Sequence, residues 1–471
     1  MYDAVIIGAG IGGLVCGCTL AKAGMKVLIV EQHSRPGGYC TSFRRGKYLF
    51  DAGPHCFGSY REGGQMRRVL EDLGLSQSME LYRPDPCDTI ITPQRTFSFW
   101  NNHRRTIEEL HEFFPHEGEQ LRAFFRFLTD AKLEAFVQLR RLTFRELLDR
   151  YFGDRLLKDL LALPLVAIGG LPPSKMSACV GAQFYTEFIL DGGYIPAGGM
   201  QHLSDTLADR FRALGGALLL SRKVDKISVR EKTAVGVNID REGFVPAKFI
   251  VSNGDARQTF LALLSTDDMD PEFLMSLRGM QPSLSSFLLY LGMDEGYHPP
   301  FLPGTVHYHF AATDPEMAYS SILHDDIRSG RWYAIRSSTD SKALYVEMLT
   351  TYQDEEYWRR NKDQIMDSVI AKIEAEAVPG VSRHIRHREA ATPATLHRYT
   401  LNYQGASYGW AGTPEQTIVP GLRKPSFIKN LYLVGHWTTL AVGISGVAYI
   451  GHDTAKTLAK RRKCIFPQIS A

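Results

Sequence analysis

Val5-Ile6-Ile7-Gly8-Ala9-Gly10-Ile11-Gly12-Gly13-Leu14-Val15 is the stretch on which the fold turns. Before it, Asp3 to Ile7 is a short β-branched run suited to a strand buried in a parallel sheet. After it, Leu14 to Ala23 carries a helical pattern. The turn between them has the form G-x-G-x-x-G. Gly8 permits the tight turn, Gly10 lets a pyrophosphate approach the backbone, and Gly13 lets the helix lie close on the strand. Ile11 and Gly12 lie in the same turn, and the N-terminus of the helix that follows receives negative charge. A second strand, Met25 to Val30, ends in Glu31 with Gln32 beside it, and a carboxylate there suits the ribose hydroxyls of an adenosine. The expected class is α/β, built on a Rossmann-like domain with a parallel sheet. The motif by itself does not separate FAD from NAD.

A chain of 471 residues is too long for one simple core, and size scaling points to about two or three domains. With 44% hydrophobic and 22% charged residues the composition is that of an ordinary globular protein. A formal net charge of +3 gives no reason to expect nucleic acid as a partner. The apolar stretch Ala4 to Val30 contains four glycines in the turn plus Lys22 and Lys26, with no basic leader, so it reads as folded domain, not as a secretion signal. No uninterrupted apolar run is long enough to span a bilayer, which leaves peripheral contact as the expected form of any membrane association. Seven scattered cysteines without a C-x-x-C pair indicate neither a disulfide scaffold nor a zinc site, and a reducing cytoplasm is the default location.

The residues just beyond Glu31 decide the cofactor. Arg35-Pro36-Gly37-Gly38-Tyr39 and then Asp51-Ala52-Gly53-Pro54-His55 resemble the extended FAD fingerprint of amine oxidases, protoporphyrinogen oxidases and phytoene desaturases. The resemblance implies FAD, with Arg35, Gly37 and Gly38 as cofactor contacts and His55 near the flavin ring. Near the other end, Asn430 to Val434 reads as a strand, Gly435-His436-Trp437-Thr438 as a turn, and Gly443-Ile444-Ser445-Gly446-Val447 as the opening of a helix through Gly451. That segment resembles the terminal FAD motif of the same superfamily and implies Gly435, Gly443, Ile444 and Val447 as cofactor contacts. The 440–442 segment departs from the glycine- and proline-rich version of that motif. Gly192 to Met200 resembles the segment at which phytoene desaturases return to the FAD domain, and by the same resemblance Val224 meets the adenine through its backbone.

Three FAD-domain blocks are therefore expected, 1–95, 192–270 and 402–465, with the insertions 96–191 and 271–401 folding together as an α+β substrate domain. Between Thr106 and Leu171 the pattern is helical, with Phe124, Phe125, Phe127, Leu128, Leu133, Phe136, Leu139 and Leu142 on recurring faces among Arg140, Arg141, Arg145, Arg150 and Arg155. Core packing is the better reading of 106–171, and a basic apolar surface resting on a membrane is the other.

In motif order the chain is most similar to the phytoene desaturase, carotenoid isomerase and retinol saturase group, and Gly405-Ala406-Ser407-Tyr408-Gly409-Trp410 sharpens that likeness. It implies an FAD-dependent oxidoreductase acting on a hydrophobic isoprenoid or polyene by hydride transfer with the flavin. His55 is the first candidate to manage a proton, followed by His436 and Tyr408, each with binding or packing as its alternative role. His307 and His309 alternate onto one strand face but lack a third ligand, so no metal is expected. Two alternatives remain open at this level: a flavin amine oxidase, and a prenyl-protein escort of related fold that needs no FAD. The sequence does not reach the oligomeric state.

Overall fold

The computed structural model describes residues 1–130, 138–417, 419, 422–438 and 443–465, with side chains as far as 462. Of the sequence candidates, Leu133, Phe136 and the 440–442 segment lie outside the described residues. Two seven-stranded sheets organise the chain.

In the first sheet the strand Tyr2–Ile7 lies between Gly243–Ser252 and Val27–Val30, parallel to both, so that Ile6 pairs with Val251 on one side and Ile29 on the other. Ala217–Leu219 extends the parallel sheet beyond Val27–Val30, and Leu431–Leu433 extends it beyond Gly243–Ser252. These runs are rich in Val, Ile and Leu because a parallel strand covered on both faces has no side to give to water. The chain leaves Ile7 toward one side of the sheet and later returns on the other, so the carboxyl ends of Tyr2–Ile7 and Gly243–Ser252 flank a topological switch point, the crevice in which such sheets bind ligands.

One face of this sheet is covered by the helices Ile11–Lys22, Met200–Ala213 and Gly443–Ile465. The first and last of these touch at backbone distance: a Cβ on Gly451 would stand 2.3 Å from the carbonyl oxygen of Gly12. The opposite face packs Val5, Leu28 and Val30 against Val224, Phe260 and Trp437.

The second sheet runs in the order Ile385–Ala391, Ser285–Met293, Ala343–Thr350, Trp332–Ser337, Val306–Phe310, Asp88–Ile91, Thr96–Phe99. Asp88–Ile91 pairs parallel with Val306–Phe310, so this sheet recruits residues from within the block 1–95 and not only from the two insertions. One face, carrying Phe287, Leu289, Ile335 and Val346, packs on the helix Glu355–Glu376 through Trp358, Ile365 and Ile373. His307 and His309 are spent on ring contacts, with Phe301 at 4.5 Å and Tyr333 at 4.6 Å between centroids. No group of three or more metal-ligating side chains exists among the described residues.

Within 106–171, Phe124, Phe125, Leu128 and Leu139 are buried in one core with Tyr185 and Phe144. Arg145 pairs with Asp159 and Glu316, and Arg155 with Asp159 and Asp314. Among the described residues the large apolar side chains that face solvent lie elsewhere in the chain. No helix is long and apolar enough to cross a membrane, among the described residues. The six cysteines whose side chains are described are free.

Candidate functional site

At the switch point the four glycines of the first motif form a cradle that side chains would fill. A Cβ on Gly13 would stand 2.2 Å from the carbonyl oxygen of Gly8, and one on Gly12 would stand 2.7 Å from Oδ1 of Asn253 and 3.1 Å from the backbone nitrogen of Gly435. Gly8 and Gly435, at φ +94° and +89°, occupy backbone conformations that L side chains rarely adopt. Asn253, at the end of the Gly243–Ser252 strand, thus meets both the first and the last motif. The helix Ile11–Lys22 begins without a side-chain cap and without an acidic residue in its first turn, which leaves its leading N–H groups for an anion.

Glu31 is buried and held from two sides: the backbone N–H of Ala9 donates to Oε2 at 2.8 Å, and that of His33 to Oε1 at 2.9 Å. Two lone pairs are so used to fix the carboxylate against the glycine turn, and the rest can accept from ribose hydroxyls. Gly37 donates to the carbonyl of Ala9 at 2.9 Å and pairs across Gly10, while a Cβ on Gly38 would stand 3.4 Å from the Cα of Gly10. These residues fit the diphosphate and adenosine of FAD. Glu31→Ala is expected to weaken FAD binding about 10- to 100-fold, the range for losing hydrogen bonds to a charged group; an unchanged Kd on titrating FAD into the apoprotein would remove Glu31 from the site.

The other expected contacts fall in different places. Arg35 directs its guanidinium to the carbonyl oxygen of Ser42 at 3.1 Å, and Gln32 donates to that of Tyr399 at 3.3 Å, so both tie loops together on the protein side. Val224 is buried in the same core as Leu28 and Val30. Ile444 and Val447 pack into the same core as Ile11 and Ala9, Gly443 lies against Phe188, and Ser445 Oγ donates to the carbonyl of Gly58 at 2.8 Å.

Asp51 joins three parts of the chain: its Oδ1 accepts from Ser42 Oγ at 2.7 Å and from the backbone N–H of Met200 at 2.8 Å, capping the helix Met200–Ala213. The segment after it, through Gly53 and His55, borders a cavity whose far side is the second sheet. Side chains alternate along strands, so Leu288 and Tyr290, Val306 and Tyr308, Ala334 and Arg336, and Tyr345 and Glu347 share the cavity face. Glu347 Oε1 accepts from Ser286 Oγ at 2.8 Å, and burial, partly offset by that bond and by Arg336, raises its carboxyl above the ordinary range. His55 has no hydrogen-bond partner among the described residues; burial first, and then the charge of Arg336, holds its pKa well below the ordinary 6.5, so it is neutral at physiological pH.

His436 lies beside this region, its pKa pushed down by burial to about 4. Its Nε2 stands 3.4 Å from Oδ1 of Asn402, which also accepts from Trp437 Nε1 at 2.7 Å, while Trp410 Nε1 donates to the carbonyl of Trp437 at 2.9 Å. His436 and Trp437 are thus engaged in a packed polar network. Tyr408 donates its hydroxyl toward the carbonyl of Ala167 at 3.5 Å, and its neighbour Ser407 reaches Ser286 at 2.9 Å, one bond from Glu347.

Sequence reasoning missed Arg336 and Glu347. Each is a single charge within an apolar strand, WYAIRS and ALYVEMLT, and that isolation was the available signal.

A family model described as flavin containing amine oxidoreductase matches residues 11–459. Prolycopene isomerase 1, chloroplastic, of an Oncidium hybrid cultivar is 27% identical over 512 residues, which cover 98% of this chain and 85% of that protein. All-trans-retinol 13,14-reductase of Danio rerio is 25% identical, covering 98% and 88% of the two chains, and the lycopene-forming phytoene desaturase of a Paracoccus species is 23% identical, covering 97% of each. Among solved structures, an oxidoreductase from Methanosarcina mazei has a TM-score of 0.67 at 17% identity over 96% of this chain and 99% of its own, and a double mutant of putrescine oxidase has 0.66 at 15% over 98% and 99%.

Proposed function

Because this chain belongs to the flavin containing amine oxidoreductase family, it is an FAD-dependent oxidoreductase, and we propose that it acts on carbon–carbon bonds of a hydrophobic isoprenoid or polyene. The observation that carries the reading is the cavity between the Gly53–His55 segment and the second sheet, where an apolar wall of Leu288, Val306 and Ala334, with the Glu347 carboxyl group on the same face, stands opposite a neutral histidine. The second sheet and the helices between 103 and 189 make up the substrate-binding part.

When bound, FAD supplies the two-electron chemistry, as acceptor or donor of a hydride. The protein supplies the proton traffic and a dry, shaped site. Glu347, whose carboxyl group burial shifts toward its acid form, is the proton donor, and His55, neutral and unpaired among the described residues, is the group able to accept a proton removed from carbon. Tyr290 fixes the loop above them by donating to the carbonyl of Ala52 at 2.7 Å. Arg35, His436 and Tyr408 position surrounding segments.

The test is an anaerobic titration of the FAD-loaded protein with hydrocarbon and oxygenated polyenes while the flavin absorption is followed. Bleaching of the oxidised protein identifies a desaturase, recovery of colour in the reduced protein a saturase, and conversion without net colour change an isomerase. No response to any polyene, with bleaching by a primary amine, overturns the reading in favour of amine oxidation.

A further inference from the structure

Arg336 is the feature of this cavity that a pure hydrocarbon would leave unused. Its strand, Trp332–Ser337, is otherwise apolar or small, and the residue is only 8% exposed. A buried guanidinium normally faces a carboxylate, since removing a charge from water is costly unless it is paired. Among the described residues none stands within ion-pair distance of Arg336. The two nearby acids are otherwise engaged: Asp51 with Ser42 and Met200, and Glu347 with Ser286. What holds Arg336 is the ring of Tyr345, over which the guanidinium lies 3.7 Å from the centroid, with longer-range attraction to Asp51 and Glu347. The Tyr345 hydroxyl in turn accepts from the backbone N–H of Asp51 at 3.3 Å. Stacking of this kind fixes the plane of a guanidinium, and the N–H groups not turned to the Tyr345 hydroxyl can meet a planar acceptor.

The geometry points to an amphipathic substrate, an isoprenoid or polyene chain ending in a carboxylate, whose acidic end seats on the N–H edge of Arg336 while the chain runs along Leu288, Val306 and Ala334. This rests on the polyene reading and narrows it. The same cavity face presents both elements such a molecule needs, an apolar wall and one fixed cation. Glu347 beside it does not oppose the binding, because burial favours its uncharged form and an incoming carboxylate favours that form further. The cluster that fits the cofactor's diphosphate and adenosine is a separate one, built from the ends of the first sheet.

All-trans-retinoate and all-trans-retinol differ only at the terminal group and serve as probes. Their binding to the FAD-loaded protein is followed by tryptophan quenching and by perturbation of the flavin spectrum. Retinoate is expected to bind at least about 10-fold more tightly than retinol, and Arg336→Met to weaken retinoate about 100-fold while leaving retinol affinity and FAD content unchanged. Arg336→Lys should recover part of the loss, because it restores the charge without the fork. Equal affinity of the natural chain for the two retinoids overturns the proposal whatever the variants do, so a variant that fails to fold does not shield it. Arg336→Met losing FAD, or losing both retinoids equally, also overturns it, by assigning Arg336 to the cofactor or to packing. Binding of retinol and of a hydrocarbon such as lycopene without preference for retinoate sinks this inference alone; binding of none of them sinks the polyene reading with it.

Discussion

Gly13→Val is expected to give a chain that purifies without FAD. The added Cβ would stand 2.2 Å from the carbonyl oxygen of Gly8 and 3.2 Å from Asn253. The first of these is backbone, with no rotamer to move aside, so the helix Ile11–Lys22 must shift away from the strand Tyr2–Ile7. Overpacking of this kind costs about 1–3 kcal/mol where a core can yield. Here the shift also displaces the leading N–H groups that would face a diphosphate, and a loss of about 3 kcal/mol in their interaction is about 100-fold in Kd. Flavin absorption of the purified variant, and the rise in Tm on adding FAD, measure the effect. Gly279→Ala, where a Cβ meets nothing within 4 Å, is the control and should retain FAD. A full complement of FAD in Gly13→Val would show that the glycine turn is not the cofactor cradle.

Glu347→Gln should keep FAD and folding but lower turnover about 100- to 10,000-fold, the range for removing a positioned acid or base. The amide keeps the shape and can still accept from Ser286 Oγ, but it cannot exchange a proton. The pH profile distinguishes this from a packing defect. Burial is the main cause of the shift in Glu347 and it favours the neutral form, so the folded-state pKa is raised. The acid therefore persists above the ordinary carboxylate range and is lost as pH rises through the raised value. If the step requires the protonated acid, the natural chain slows along that alkaline limb and the variant, already slow, lacks it. Unchanged kcat together with an unchanged profile would take Glu347 out of the proton path.

The first sheet was readable from sequence because its determinants are local. A strand, a turn that only glycine can make, a helix and a terminal acid succeed one another within the first 31 residues, and the helix opened by Gly443 repeats the device. Arg336 and Glu347 were not readable, because their meaning depends on register. Ala334 pairs with Glu347 and Arg336 with Tyr345 across an antiparallel ladder, and only that alignment puts both charges on the cavity face. Asn253 ends an apolar run that is recognisable as a strand, yet its contacts with Gly10, Gly12 and Gly435 arise from the switch in strand order, which no short window of sequence contains. The inclusion of Asp88–Ile91 in the second sheet escaped for the same reason, since its partner lies beyond residue 300. His307 and His309 show the reverse case: a conspicuous local pattern that folding spends on stacking with Phe301 and Tyr333.

The strand Gly243–Ser252 has Tyr2–Ile7 on one side and Leu431–Leu433 on the other, and Gly12 touches both Gly435 and Gly451. On the ribosome, the first motif emerges hundreds of residues before the pieces that complete it. The N-terminal segment must therefore wait as an unfinished sheet edge while the intervening chain is made, and tight capture of FAD becomes a late event in biogenesis. Because a ligand that binds only the folded form stabilises it, flavin supply during expression is expected to raise the share of chain that reaches its final form.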